Sequence, residues 1–579
     1  MPLMGSLYIG ASGLQTSQNA LNTTAHNLSN TDTVGYTRQQ VQQSDKAYVT
    51  LSKTASAVSY QQHGLGVTYS RVKQVRDYFL DKSFRKESGR SMFYEVSSNV
   101  MEEVESQLGE LNGKAFQSTL SDLWTSVQEL AKDPASSVTQ GLFVQRASEF
   151  VERATAVYDG LSSYQDNLNL QIKQQVDKIN QYGNQILELN DRIRAIESGG
   201  IEHANDLRDA RDQILDELSE LANISFKEDM TGNVSVQIEG EDFVKGGMCY
   251  QIGMDMDAAT GFYTPFWPQN ASYRVMDDGS QIYNIDGAEV FNLNVEISSD
   301  LGTDVGGLKA MLLARGDHRA DYTDMTEEKY GLVSQSVLMN IQGEFDQLVH
   351  HVVSRVNDIL AGAAGVTTGD LEIVDSQGNV QKLTNVRYAK DEKNGYMRGE
   401  TGVPLQLFEK VTSDGYTKVT GTDGESYWVY NEEKTDSPES LYTLSNLQIS
   451  KELMQKPSIL GFRLADGSED QATAEALKNA FTEENYVLNP NVKKKVSFNN
   501  YYSDMVSQVA NSGYVYRSIY ENQQNMVESV ESARAQVVSV STDEELSNMI
   551  KFQNAYNASS RYINSIRQML EHLITTLGV

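Results

Sequence analysis

Both ends of the chain carry the same periodic stripe. Near the start, Met4, Leu7, Ala11, Leu14, Gln18, Leu21, Ala25 and Leu28 alternate spacings of three and four, the heptad seam of a coiled coil. Near the end, Met549, Phe552, Tyr556, Ser559, Ile563, Ile566, Leu570, Leu573 and Leu577 repeat it. A lone amphipathic helix packs on its own globule, but two matched seams are the simplest partners for each other, as an antiparallel or side-by-side pair that brings the termini together. The stripes are narrow, and isolated helices are marginal in water until packed. The ends are therefore expected to be loose in the monomer and ordered on assembly. Before the last helix, Thr542-Asp543-Glu544-Glu545 has the spacing of a capping box, with Thr542 and Glu545 satisfying each other's backbone amides.

Between the ends, Leu168, Ile172, Val176, Ile179, Ile186, Leu189, Ile193 and Ile196 form another long stripe. Gly199-Gly200 breaks it, and Leu207, Arg211, Ile214, Leu218 and Leu221 resume it, which reads as a helical hairpin. From Ile224 the pattern becomes alternating, as in Val234-Ser235-Val236-Gln237-Ile238. Helix is expected again over 308–313 and 330–360, short strands over 361–440, and helix over 446–485. The fold class is thus α+β, elongated and multidomain. The expected domains are 1–85 with 500–579 (terminal coiled coil and adjoining core), 86–225 with 305–361 and 441–499 (helical), and β-rich insertions at 226–304 and 362–440. At 579 residues several domains are the default.

Chemistry needs particular residues at particular spacings. His350-His351 lacks the HExxH spacing that puts two imidazoles on one zinc. Asp255-Met256-Asp257-Ala258-Ala259-Thr260-Gly261 opens like a calcium loop but has Ala259 and Thr260 where a ligand and a glycine belong, so a polar turn is expected. His63-Gly64-Leu65-Gly66 has Tyr69 in place of a third dinucleotide-loop glycine and reads as a turn entering a strand over 67–75. Cys249 is the only cysteine, which excludes an internal disulfide or a cysteine cluster. With 48 Lys and Arg against 79 Asp and Glu, the net charge of -31 argues against nucleic acid and anionic membrane partners. The N-terminus has no basic region followed by an apolar run, so no cleaved secretory signal is expected, and no apolar stretch reaches membrane-helix length. No catalytic, cofactor or metal residue is nominated; the expected protein is a non-enzymatic assembly protein.

Certain motifs are familiar. Ala25-His26-Asn27-Leu28-Ser29-Asn30 followed by Val34-Gly35-Tyr36-Thr37-Arg38-Gln39 resembles the signature of the rod, hook and hook-associated proteins of the bacterial flagellum. The family more often has Asn at the position of His26 and Pro at that of Val34. Gly64-Leu65-Gly66-Val67 with Arg76-Asp77-Tyr78-Phe79-Leu80 looks like the hook-associated branch, as does Asn205-Asp206-Leu207-Arg208-Asp209-Ala210-Arg211-Asp212 with Glu217-Leu218-Ser219. Thr542 to Glu545 and Lys551-Phe552-Gln553-Asn554-Ala555-Tyr556 are similar to that branch's C-terminal signature.

The resemblance implies an extracellular structural protein at the junction of hook and filament, exported by the flagellar type III apparatus without a cleaved signal. It would form a ring of copies on the hook tip and template the filament. Implied partners are itself, the hook protein, the next hook-associated protein and the filament, and a cytosolic export chaperone on the C-terminal helix. The residues expected to make these contacts are Leu7, Leu14, Leu21, Asn27, Leu28, Asn30, Gly35 and Tyr36, with Met549, Phe552, Tyr556, Ile563, Ile566, Leu570 and Leu573. The alternatives are a hook or distal rod protein, or an exported adhesin or enzyme with its activity in a β insertion.

Overall fold

The computed structural model describes residues 2–53, 60–109, 115–199, 203–276, 281–375, 378–393, 395–464 and 466–577. Helix α1 (Pro2–Ser29) leads into strands β1 (Gln39–Asp45), β2 (Val49–Lys53), β3 (Tyr60–His63) and β4 (Val67–Gln74). β1 and β4 pair antiparallel into a ribbon lying on α1. The turn at Gly66 has φ +89, and a Cβ there would meet the Ser12 hydroxyl at 2.2 Å, so glycine is what lets β4 start against α1.

Helix α2 (Tyr78–Leu108) opens on Asp77, whose carboxylate accepts from the Phe79 and Leu80 amides, and closes on Gly109 in the left-handed region. Then come α3 (Phe116–Lys132) and α4 (Ser137–Glu197). With 61 residues, α4 is about 90 Å long and serves as the spine. Its first half puts Phe143, Phe150 and Leu161 into a large helical core with Phe116 and Phe345. Its second half puts Ile172, Val176, Ile179 and Ile186 into a separate core with Leu215, Leu218, Val236 and Trp267. α5 (Asn205–Leu221) runs back along α4: Arg211 reaches Asn190, Glu217 reaches Tyr182 and Arg208 reaches Glu197. The expected hairpin is present; Gly200 lies outside the described residues.

The β region packed on that hairpin holds β5 (Ile224–Glu228), β6 (Val234–Ile238), β7 (Glu241–Lys245) and β8 (Met248–Cys249) in one sheet, followed by the ribbons β9 (Gly253–Met256) with β10 (Tyr263–Phe266) and β11 (Ser272–Val275) with β12 (Gln281–Asn284). Alternation in β6 buries Val234, Val236 and Ile238. The sheet approaches α4 so closely that a Cβ on Gly183 would sit 2.4 Å from the Phe243 ring and 2.6 Å from the Cys249 sulfur. Burial pushes the Cys249 thiol up to about 11, which disfavours the thiolate form.

Helices α6 (Gly307–Arg315) and α8 (Val337–Ala363) return the chain to the first core, while α7 (Tyr330–Val333) packs in a small separate cluster with Met325 and Met339. Four strands, β13 (Thr367–Val374), β14 (Val380–Lys390), β16 (Tyr416–Gly421) and β17 (Ser426–Tyr430), close into a small barrel, while β15 (Phe408–Lys410) pairs instead with β18 (Leu447–Ile449). The helix expected over 446–485 is corrected: the segment holds β18, the short α9 (Lys451–Gln455), a 3₁₀ turn at Pro457–Leu460 and then α10 (Gln471–Thr482). Pro457 cannot continue a helix, and Gly461 and Gly467 both adopt positive φ.

The last two helices are α11 (Phe498–Val538) and α12 (Thr542–Leu577). α11 runs antiparallel to α2, with Gly513 against Met101 and Glu105, and Arg534 against Asp81. The accessible surface is 30195 Å², whereas a compact monomer of this mass exposes about 20,000 Å². The molecule is extended.

Candidate assembly interface

α1 and α12 pair antiparallel. A Cβ on Gly10 would lie 2.7 Å from Ile563, one on Gly13 would lie 2.8 Å from the Ser559 hydroxyl, and Asn27 bonds Glu545. On α12 the face turned to α1 includes the sequence stripe: Met549, Phe552, Tyr556, Ile563 and Leu570 are half-buried and Ile566 is buried, while Leu573 is exposed. On α1 the expected seam is corrected. The buried positions are Gly10, Thr16, Ser17, Ala20, Thr24 and Asn27, whereas Leu7, Leu14, Leu21 and Leu28 are half-buried flanks and Ala11, Gln18 and Ala25 are exposed. Glycines at 10 and 13 permit a closer helix approach than leucines would, so α12 settles over the small residues. Apolar side chains are left outside the pair, among them Tyr8 (69% exposed), Ile550 (61%) and Ile574 (65%).

At its base the pair is locked by polar contacts among segments far apart in sequence. The Asn27 carboxamide behaves as a strand partner for Gln39, donating to its carbonyl at 2.8 Å and accepting from its amide at 3.0 Å. Its Oδ1 also accepts from the Tyr36 hydroxyl (2.8 Å), and its Nδ2 donates to Glu545 Oε2 (3.1 Å). Only a side chain with both a donor and an acceptor makes this set; aspartate would set a second carboxylate beside Glu545. Asn30 closes the α1 terminus, donating to the His26 carbonyl at 3.0 Å. Gly35 has φ +79 and lies against Gln213 of α5. Thr37 donates its amide to Asp209 (3.2 Å), and Arg38 bonds Glu545 (3.0 Å) and Glu544 (2.9 Å).

The expected capping box is also corrected. α12 begins at Thr542 with Ser541 before it, so Glu545 falls one residue too late to cap. The Glu544 amide faces the Ser541 hydroxyl at 3.5 Å, and the Glu545 carboxylate, buried, serves Asn27 and Arg38.

Beside this node three arginines and three aspartates alternate in a closed circuit. Arg76 joins Asp81 (3.0 Å) to Asp212; Arg85 joins Asp212 (3.1 Å) to Asp216 (2.7 Å); Arg534 joins Asp216 (2.7 Å) back to Asp81 (2.8 Å). The Arg85 and Arg534 guanidinium groups also cover the rings of Phe226 and Phe84. Burial by itself would raise Asp81, but the hydrogen bond and charge of Arg76, with Arg534 and Arg85, hold its carboxyl below the usual range. Asp209 lies outside the circuit, and burial pushes it up to about 6 against the opposing Thr37 bonds and Arg76 charge. Burial, and then the charge of Asp209, raises the Tyr36 hydroxyl well above its ordinary value.

Three motifs read separately in the sequence, at 25–39, 205–219 and 542–545, therefore meet in one place. Arg85 and Arg534 were not singled out in the sequence, because no local pattern marks an arginine whose partners lie on other helices. The segments at 255–261 and 350–351 make structural contacts. Asp257 caps its own turn through Thr260 and Ala259. His350 bonds Glu433 at 2.9 Å and stacks on Tyr322, and burial lowers His351 to about 4. Among the described residues, no cluster of three metal-binding side chains occurs and no helix is long and apolar enough to cross a membrane.

Comparison with known proteins names the family. The model of the flagellar hook-associated protein FlgK helical domain matches residues 101–371, that of the flagella basal body rod protein 7–37, and that of the flagellar basal body rod FlgEFG protein C-terminal region 536–576. Flagellar hook-associated protein 1 of Bacillus subtilis is 22% identical over 98% of this chain and 97% of its own length. The chain is thus similar over nearly its whole length to flagellar hook-associated protein 1. The relative of that name from Escherichia coli is 23% identical over 99% of this chain and 100% of its own. A solved structure of the flagellar hook junction protein FlgK from Burkholderia pseudomallei covers 80% of this chain and 100% of its own, at 14% identity and a TM-score of 0.49. The family is structural, not enzymatic. The rod-protein matches cover α1 from Leu7 with the loop as far as Thr37, and the α11–α12 turn with most of α12, so they include Asn27 and Tyr36 on one side of the polar node and Glu544 and Glu545 on the other.

Proposed function

We propose that this protein joins the flagellar hook to the filament, assembling as a ring on the hook tip and templating the filament. The observation that carries this reading is the terminal helix pair, which keeps an apolar surface (Tyr8, Ile550, Ile574) uncovered while its base is fixed by the polar node. Apolar side chains left exposed in this way find burial when neighbouring subunits supply the other walls. In this reading the chain works outside the cell, passes the flagellar export apparatus without a cleaved signal, and meets the hook protein, the next hook-associated protein and the filament. A cytosolic chaperone covers Met549, Phe552, Tyr556, Ile563, Ile566 and Leu570 before export, a groove-binding task for one amphipathic face. The helices α1, α11 and α12 with residues up to 85 form the inner part; the helical body and the β regions at 226–304 and 362–440 lie outward.

The test is a deletion strain, scored by microscopy for hooks and by analysis of the medium for filament subunits. Hooks without filaments, with unpolymerised filament protein in the medium, are the expected result. Missing hooks would move the protein to the rod or hook, and normal filaments would make it accessory.

A further inference from the structure

Between the signature loop, α5 and α11 lies a groove of about 430 Å³ lined by Ala535, Val538, Val540 and by Phe84 beneath the Arg534 guanidinium, with Arg76 and Arg534 both held in the circuit, and edged by the 86%-exposed Val34. One wall is acidic. Glu217, Glu220 and Glu531 line it and make no ion pair among the described residues. Burial raises Glu220 against the opposing Ser88 hydrogen bond, and Glu217 and Asp216 raise it further while Lys178 offsets part of that repulsion.

Across the Arg76–Asp212 bridge lies a second cavity of about 340 Å³, lined in part by Arg71, Lys73 and Tyr78. Arg71 and Lys73 stand two residues apart on β4, hence on one face of the strand, and both are exposed. Neither has a carboxylate partner among the described residues; Arg71 holds only Gln42, at 2.8 Å. α5 lines both cavities from adjacent faces, with Asn205 and Arg208 in one and Gln213, Glu217 and Glu220 in the other. Each copy of the chain thus carries an acid-walled groove and a basic face of β4 with no carboxylate partner among the described residues. A head-to-tail contact between identical subunits needs two such unlike halves. At a net charge of -31 copies repel over most of their surface, so a local contact of opposite sign would set how they meet.

We propose that the groove receives the Arg71–Lys73 face of β4 from a second copy of this chain. The inference rests on the assembly reading above and adds the lateral contact between neighbours.

The experiment uses two full-length copies with different tags, both Cys249→Ser, expressed together in a strain lacking the native protein. One carries Glu531→Cys and the other Lys73→Cys; the control replaces Lys73→Cys by Leu170→Cys on the exposed face of α4. Mild oxidation of purified hook–filament structures should give a dimer bearing both tags, at least tenfold above the control. Glu217→Lys and Lys73→Glu should each cut incorporation at least tenfold, and the two together should restore it. The proposal is overturned if both tagged copies incorporate but cross-tag dimers stay at the control level, or if the adduct has the mass of another flagellar subunit. Those results leave the assembly reading standing. Failure of the tagged, cysteine-free protein to enter flagella overturns both.

Discussion

Glu545→Ala tests the polar node most directly. The substitution removes the Asn27 Nδ2 bond at 3.1 Å and the Arg38 Nε bond at 3.0 Å. A hydrogen bond to a charged group contributes about 1.5–3 kcal/mol. Asn27 keeps the Gln39 carbonyl at 2.8 Å and Arg38 keeps Glu544 at 2.9 Å, so neither is stranded. The expected loss is therefore about 3 kcal/mol in total, the floor of the range for breaking a buried pair. That corresponds to an increase on the order of a hundredfold in the local opening constant. Native-state hydrogen exchange should report it at the Arg38 amide, which donates to the Val538 carbonyl, and along the first turns of α12, with α4 core amides unchanged. Arg38→Ala combined with Glu545→Ala should lose less than the two singles summed, by about 1–2 kcal/mol. A change under threefold, unprotected node amides in the unmodified protein, or strict additivity would refute the reasoning.

Ile563→Asp places a carboxylate against Gly10 in the α1–α12 contact and should block incorporation into flagella and weaken chaperone capture, whereas Asn564→Asp on the exposed face should do neither; equal incorporation of the two variants would count against the pairing. Gly183→Ala drives a methyl into the buried Phe243 ring and should cost about 1–3 kcal/mol, read as a lower unfolding midpoint of the β5–β8 region by exchange mass spectrometry; an unchanged midpoint would show that the sheet can yield. Burial raises Glu344 to about 7, and its Oε2 has no hydrogen-bond partner among the described residues. The native state therefore holds the proton more tightly than the unfolded chain, and that stabilisation, present below the ordinary carboxylate range, fades as pH rises through about 7. Glu344→Gln should be near neutral at pH about 4.5 and stabilising by up to about 3 kcal/mol above pH about 8 in urea unfolding; the same difference at both pH values would contradict the assignment. Limited proteolysis of the monomer should trim α1 and α12 before α4, and resistant ends would argue that the pair is complete without neighbours.

Periodicity alone determined a good deal here. The stripe of α12, the α4–α5 hairpin and the alternation of β6 were all readable, because spacing states which residues share a face. Spacing does not state which face a neighbour will take. On α1 the leucines form the more regular apolar seam, yet Gly10 and Gly13 let α12 come closer over the small residues, and the leucines were left on the flanks. The same limit explains Glu545: four residues of sequence suggested a cap, but a one-residue shift of the helix start freed its carboxylate for partners more than five hundred positions away. Of the alternating circuit of Arg76, Arg85 and Arg534 with Asp81, Asp212 and Asp216, only Arg76 and Asp212 fall within sequence motifs, and nothing in the sequence marks the six as a set. Its members come from the β4–α2 link, α2, α5 and α11, and charges on four separate segments acquire mutual distances only when the chain folds.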